Sequence, residues 1–119
     1  MNIYFSGIGG VGLGPLAEIA HDAGHTVRGS DAQESLTTRE LQERGIPVST
    51  DQTGDYMMYC HRQQSIDWFV YTAGLPNDHP ELIKARELGL HLAKRDELIN
   101  YIIGEKDLKL IAAAGTHGK

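Results

Sequence analysis

Two glycine clusters carry the residues whose types and spacing could do chemistry. The first, Gly7-Ile8-Gly9-Gly10-Val11-Gly12, satisfies G-x-G-x-x-G. In that pattern the first glycine turns the chain and the second lets backbone approach a pyrophosphate. The third lets a helix pack closely on a strand. N–H groups opening the helix, from Val11 and Leu13, then face the phosphates with about half a positive charge of helix dipole. Asp31 follows nineteen residues after Gly12, where an acid usually binds a ribose hydroxyl. This chemistry is the binding of a nucleotide diphosphate, and the loop and acid alone fit NAD as well as any other. The second cluster, Gly115-Thr116-His117-Gly118-Lys119, is the core of a phosphate loop. There, backbone N–H groups cradle phosphates and a lysine reaches the outer ones. The full G-x-x-x-x-G-K spacing requires glycine at position 113, where alanine stands.

Other reactive residue types form no constellation. Cys60 is alone, which excludes disulfide scaffolds and cysteine zinc sites and fits a reducing, cytoplasmic setting. The six histidines lack metal-ligand spacing, because His21 and His25 straddle Gly24, where a helix should end. No metal site is expected.

These residues need elements to hold them. Asn2–Ser6 reads as a strand running into the glycine loop. Leu13, Leu16, Ala17, Ile19 and Ala20 recur at helical spacing, with Gly24 as the stop. A second strand spans His25–Gly29 and ends at Ser30-Asp31. Thr37 and Glu40 form a capping box for a helix stopping at Gly45, and Ile46–Ser49 is a third strand. Residues 50–65 are less marked, although Tyr56 to Cys60 have the composition of a packed helix. Ile66–Thr72 is a buried strand, and Asp78 caps a helix with Pro80 in its first turn and Gly89 at its end. Leu90–Leu92 is a fifth strand, Arg95–Ile103 a helix closed by Gly104, and Leu108–Ala113 a sixth strand. Strands alternating with helices predict a Rossmann-like, doubly wound α/β fold: a mostly parallel sheet of about five strands with helices on both faces. Ligands of such sheets bind at the strands' carboxyl ends, which brings Ala73, Gly74 and Leu75 beside the glycine loop.

The chain has 119 residues, 14 of them glycine, and a net charge of −5. That is one domain's worth of globular sequence. Its mild acidity, without a basic run, argues against a nucleic-acid surface, and no apolar stretch reaches the ~18 residues of a membrane span.

Taken together, the two ends resemble the Mur ligases of peptidoglycan synthesis. Phe5 to Ile19 looks like that family's opening loop and first helix, and Gly29-Ser30-Asp31 like its second-strand ending. Thr72-Ala73-Gly74-Leu75 with Asp78-His79-Pro80-Glu81 is similar to a turn and helix start there. Leu90 to Leu98 parallels its last strand and helix, and Ala114 to Lys119 the start of its ATP loop. The resemblance implies a UDP-sugar-binding domain over residues 1–105. Residues 106–119 would be the first strand and loop of a central ATPase domain, with the remaining ligase domains as partners in cis. Gly7, Ile8, Gly9, Gly10, Val11, Gly12 and Leu13 would hold the diphosphate, and Ser30 and Asp31 the uridine part. Ala73, Gly74, Leu75 and Arg95 would complete the site, and Gly115, Thr116, His117, Gly118 and Lys119 would contact ATP. In the complete enzyme, ATP with Mg2+ phosphorylates the lactyl carboxylate of UDP-N-acetylmuramate, and the amine of L-alanine attacks the acyl phosphate. The resemblance therefore implies a role in cell-wall biogenesis, with the isolated chain binding but not catalysing. A family member that attaches a whole tripeptide is the near alternative, and an NAD-binding oxidoreductase or regulatory domain the alternative of another class.

Overall fold

In a computed structural model, the backbone of residues 1–117 and the side chains of residues 1–107 are described. The elements in chain order are β1 (Asn2–Ser6), α1 (Leu13–Asp22), β2 (Thr26–Ser30), α2 (Leu36–Glu43) and β3 (Val48–Ser49). They continue with α3 (Asp55–Gln63), β4 (Trp68–Tyr71), α4 (Pro80–Glu87), β5 (His91–Lys94) and α5 (Arg95–His117). The strands form one five-stranded sheet in the order β3-β2-β1-β4-β5, parallel throughout. This is the doubly wound α/β architecture that the alternating pattern predicts. Strand order reverses between β1 and β4, so the connections leaving these two strands diverge and leave a crevice at their carboxyl ends.

β1 is central, and its alternation explains both cores. Ile3 and Phe5 join Leu13, Leu16, Ala17 and Ala20 of α1, Leu41 of α2, and Leu98 and Ile102 of α5. Tyr4 points the other way, into Met57 and Cys60 of α3, Phe69 of β4, and Leu82 and Ala85 of α4. Burial on both faces is why a parallel strand needs no polar alternation to solvent. The polar residues Asn2, Ser6, Arg28 and Ser30 are nonetheless buried, so each needs a hydrogen-bond partner inside.

Several element ends differ from the sequence reading. The capping box of α2 is Ser35 with Thr38, not Thr37 with Glu40. Ser35 Oγ accepts from Thr38 N at 3.2 Å, and Thr38 Oγ1 accepts from Ser35 N at 2.8 Å. The N-cap of α4 is His79, not Asp78: Pro80 occupies the first helical position and excludes its predecessor from helical backbone. His79 Nδ1 then accepts from Glu81 N at 3.2 Å. α3 gives the poorly marked stretch a definite helix over Asp55–Gln63.

The largest correction concerns 108–113. Read as a sixth strand, this segment continues α5 instead, and Gly104 does not end that helix. Leu, Lys and Ala are strong helix formers, whereas a strand needs a neighbouring edge to satisfy its N–H groups. One glycine inside a helix costs about 1 kcal/mol, too little to stop it. α5 consequently passes through residue 105 without a break.

Candidate nucleotide-binding site

The glycine loop leaves β1 at Ser6 and enters α1 at Leu13, beside the point where strand order reverses. Its own hydrogen bonds show which N–H groups are spoken for. Gly7 N and Ile8 N both donate to the carbonyl of Ser30, at 2.8 and 2.9 Å. Gly10 N donates to Gly7 O at 3.0 Å, and Gly9 N donates to Asp31 Oδ2 at 2.8 Å. Among the described residues, the N–H groups of Val11, Gly12 and Leu13 have no acceptor. These are the donors at the start of α1, where the helix dipole adds positive potential. Val11 is 98% exposed and opens the loop to solvent, Gly12 is half-exposed beside Arg95, and Leu13 is buried.

Glycine is required here for two different reasons. Gly7 has φ +82°, in the left-handed region that favours glycine. Gly9 is required by packing, since a Cβ there would lie 2.7 Å from Thr38 Cγ2 and 2.9 Å from Asp31 Oδ2.

Asp31 is brought to the loop as expected, but its carboxylate already serves the loop itself. Oδ2 takes the N–H of Gly9, and Oδ1 takes that of Gln33 at 3.2 Å. Each oxygen keeps one lone-pair direction for a further donor. Ser30 is fully buried and its hydroxyl is engaged below the loop. Its carbonyl is what anchors Gly7 and Ile8.

On the other side of the crevice, β4 runs out into Thr72-Ala73-Gly74-Leu75, closed as a turn by Leu75 N to Thr72 O at 3.1 Å. Thr72, Ala73 and Gly74 are exposed, while Leu75 packs back onto the α3/α4 core. Thr72, Ala73, Lys94, Arg95 and Asp96 line a cleft of about 240 Å³. Arg95 reaches from this cleft to the loop: its Nε donates to Gly12 O at 3.3 Å and its Nη1 to Asp96 Oδ1 at 3.4 Å. The sheet thus gathers the loop, Asp31, Ala73 and Arg95 at its carboxyl edge. Gly115, Thr116 and His117 end α5, and Gly118 and Lys119 lie outside the described residues.

One buried carboxylate near the loop escaped the sequence reading. Glu81, in the first turn of α4, is fully buried beneath the loop. Its Oε1 accepts from Ser6 Oγ at 2.7 Å and Ser30 Oγ at 2.6 Å, and its Oε2 from Tyr4 Oη at 2.6 Å. Three charge-assisted bonds of about 1.5–3 kcal/mol each are what makes a buried carboxylate tolerable. Burial, and then the charge of Glu81, push the Tyr4 hydroxyl well above the ordinary phenol range, so it stays a donor. The available signal was the run Asn2, Tyr4, Ser6 on one face of β1 with Arg28 and Ser30 on β2: a polar stripe inside a buried sheet needs an internal partner.

Cys60 is buried, and that burial pushes its thiol up, which disfavours the nucleophilic thiolate. Among the described residues no three His, Cys, Asp or Glu side chains come together to hold a metal. No helix among the described residues is long and apolar enough to cross a membrane.

Comparison with known proteins bears on the family and the fold. The chain is 41% identical over 121 residues to a UDP-N-acetylmuramate–L-alanine ligase of Caldicellulosiruptor saccharolyticus, covering all of this chain and 25% of that protein. It is 38% identical to the enzyme of the same name from Frankia casuarinae, covering 99% of this chain and 23% of that one. The chain thus spans about a quarter of the length of these relatives. Among solved structures, UDP-N-acetylmuramate-alanine ligase MurC of Thermotoga maritima superposes with a TM-score of 0.76 at 27% identity, over 88% of this chain and 23% of that one. A murein peptide ligase of Psychrobacter arcticus shares the fold, with a TM-score of 0.72 at 24% identity over 85% of this chain. A family model described as Mur ligase family, catalytic domain, matches residues 2–106, and with the loop and sheet order above it establishes that the chain belongs to the Mur ligase family.

Proposed function

We propose that the chain binds the UDP part of UDP-N-acetylmuramate as a domain of an ATP-dependent, cytoplasmic ligase that joins L-alanine to that sugar nucleotide. The observation that carries this reading is the set of free N–H groups of Val11, Gly12 and Leu13, aligned at the start of α1 beside the sheet's reversal point. A diphosphate supplies the acceptors these donors lack. Asp31 keeps lone pairs for a ribose or uracil donor, and Arg95 adds a cation over the same loop. Relatives at 36–41% identity carry the L-alanine ligase name, which favours that branch over the tripeptide-adding one. On this reading residues 1–105 are the UDP-sugar-binding domain. Residues 106–119 then lead to the ATPase domain, with Gly115 to Lys119 as its ATP loop. On this reading ATP and Mg2+ belong to the complete enzyme, and the chain alone binds without catalysing.

Isothermal titration of the chain with UDP-N-acetylmuramate, UDP and NADH tests the proposal. Saturable heats with both uridine nucleotides and none with NADH are expected. No heat or thermal shift with millimolar UDP-N-acetylmuramate would refute it, and tight NADH binding without a UDP response would favour an NAD-binding domain.

A further inference from the structure

Glu81 makes no hydrogen bond to the loop residues Gly7 to Leu13, yet it is tied to Ser30, the residue that anchors them. Its Oε1 holds Ser30 Oγ at 2.6 Å, and the carbonyl of the same Ser30 accepts both Gly7 N and Ile8 N. The same oxygen holds Ser6 Oγ at 2.7 Å, at the last residue of β1 before the loop. Ser6 and Ser30 are paired neighbours in the sheet, so one carboxylate oxygen clasps both strand ends at the root of the loop. Gln52 Nε2 donates to Ser30 Oγ at 3.3 Å, which directs the hydroxyl hydrogen of Ser30 to Glu81. The other oxygen is fixed by Tyr4, whose ring stacks on Phe69 of β4. Glu81 itself sits in the first turn of α4, six residues after Leu75.

We propose that Glu81 is a positioning residue for nucleotide binding: by fixing Ser30 and Ser6 it sets the glycine loop in the conformation that presents the N–H groups of Val11, Gly12 and Leu13. This rests on the nucleotide reading above for its ligand, but the loop's conformation can be followed without one. Glu81→Ala leaves three hydroxyl donors without their acceptor and releases the Ser30 carbonyl. Glu81→Gln keeps the clasp, because its Oε1 accepts from both serines and its amide N–H donates to a Tyr4 oxygen now acting as acceptor.

The test combines amide hydrogen exchange of the ligand-free chain with UDP titration. In Glu81→Ala the Gly7 and Ile8 amides are expected to exchange at least tenfold faster, relative to amides of β4 and β5, with UDP affinity down at least tenfold. Glu81→Gln should stay within threefold of the unaltered chain in both. A merely structural role would speed all amides alike and leave the affinity of the folded protein unchanged. That result would overturn the proposal, as would a Glu81→Gln variant as impaired as Glu81→Ala. If Glu81→Ala does not fold, Ser30→Ala cuts the same link more gently, and a three- to tenfold change in Gly7 and Ile8 exchange is expected. Unchanged exchange there would likewise overturn it. Absence of UDP binding by the unaltered chain would refute the nucleotide reading instead, and the exchange measurement would still decide the role of Glu81.

Discussion

At Gly29 the sheet leaves no room for a side chain. A Cβ there would lie 2.5 Å from Phe5 O and 2.8 Å from Ile8 Cδ1, and a backbone oxygen cannot step aside. Gly29→Ala should destabilise the chain by about 3 kcal/mol or fail to fold, at the upper end of overpacking effects. Gly74→Ala, with its nearest atom at 3.9 Å, should leave stability unchanged in the same thermal melts. Asp31→Ala removes the acceptor of Gly9 N, and should lower stability by about 1–3 kcal/mol and weaken UDP binding in titration. The glycines and Asp31 were legible because a loop that approaches phosphate demands particular residue types at particular spacing. Glu81 was not, because as a sequence it is one acid in the first turn of a helix, a common and unremarkable position. Only the sheet register, which sets Ser6 beside Ser30, turns it into a shared acceptor.

At the scale of elements, the start of α3 depends on one carboxylate. Asp51 Oδ2 accepts from Tyr56 N at 2.8 Å, and Oδ1 accepts from Thr53 Oγ1 at 2.7 Å and Thr53 N at 3.2 Å. The Thr53 hydroxyl first, then the Tyr56 N–H, hold this carboxyl below its ordinary value. A depressed folded pKa means the stabilisation is complete above the ordinary carboxylate value of about 4 and lost as pH falls through the folded value below it. Asp51→Ala should cost about 1 kcal/mol at neutral pH, the usual effect of a lost cap, and the difference from the unaltered chain should shrink in denaturant melts at more acid pH. Where α3 begins was hard to read because Gly54 precedes it in a left-handed turn and the capping acid stands four residues ahead of the helix. α5 shows the opposite difficulty. Its first turns were legible from Leu98 and Ile102, both buried against α1, and Ile102→Ala should lose about 2–4 kcal/mol. Its continuation past Gly104 was not, because an apolar Leu-Lys-Leu-Ile-Ala-Ala run satisfies strand and helix patterns alike.

For the whole molecule, alternation of strand and helix made a parallel, doubly wound sheet legible before any coordinates. The order β3-β2-β1-β4-β5 was not, since it depends on which faces the crossovers cover. That order matters for the proposed site, because placing β1 between β2 and β4 sets the glycine loop, Asp31 and the Thr72–Leu75 turn around one crevice. The central claim is that this crevice receives a uridine diphosphate on the N–H groups of Val11, Gly12 and Leu13. The most direct measurement is an amide-resolved NMR titration of the 119-residue chain with UDP-N-acetylmuramate. The account predicts saturable shifts concentrated at Val11, Gly12 and Leu13, with smaller ones at Asp31, Ala73 and Arg95. Shifts centred elsewhere, or none at millimolar ligand, would contradict it.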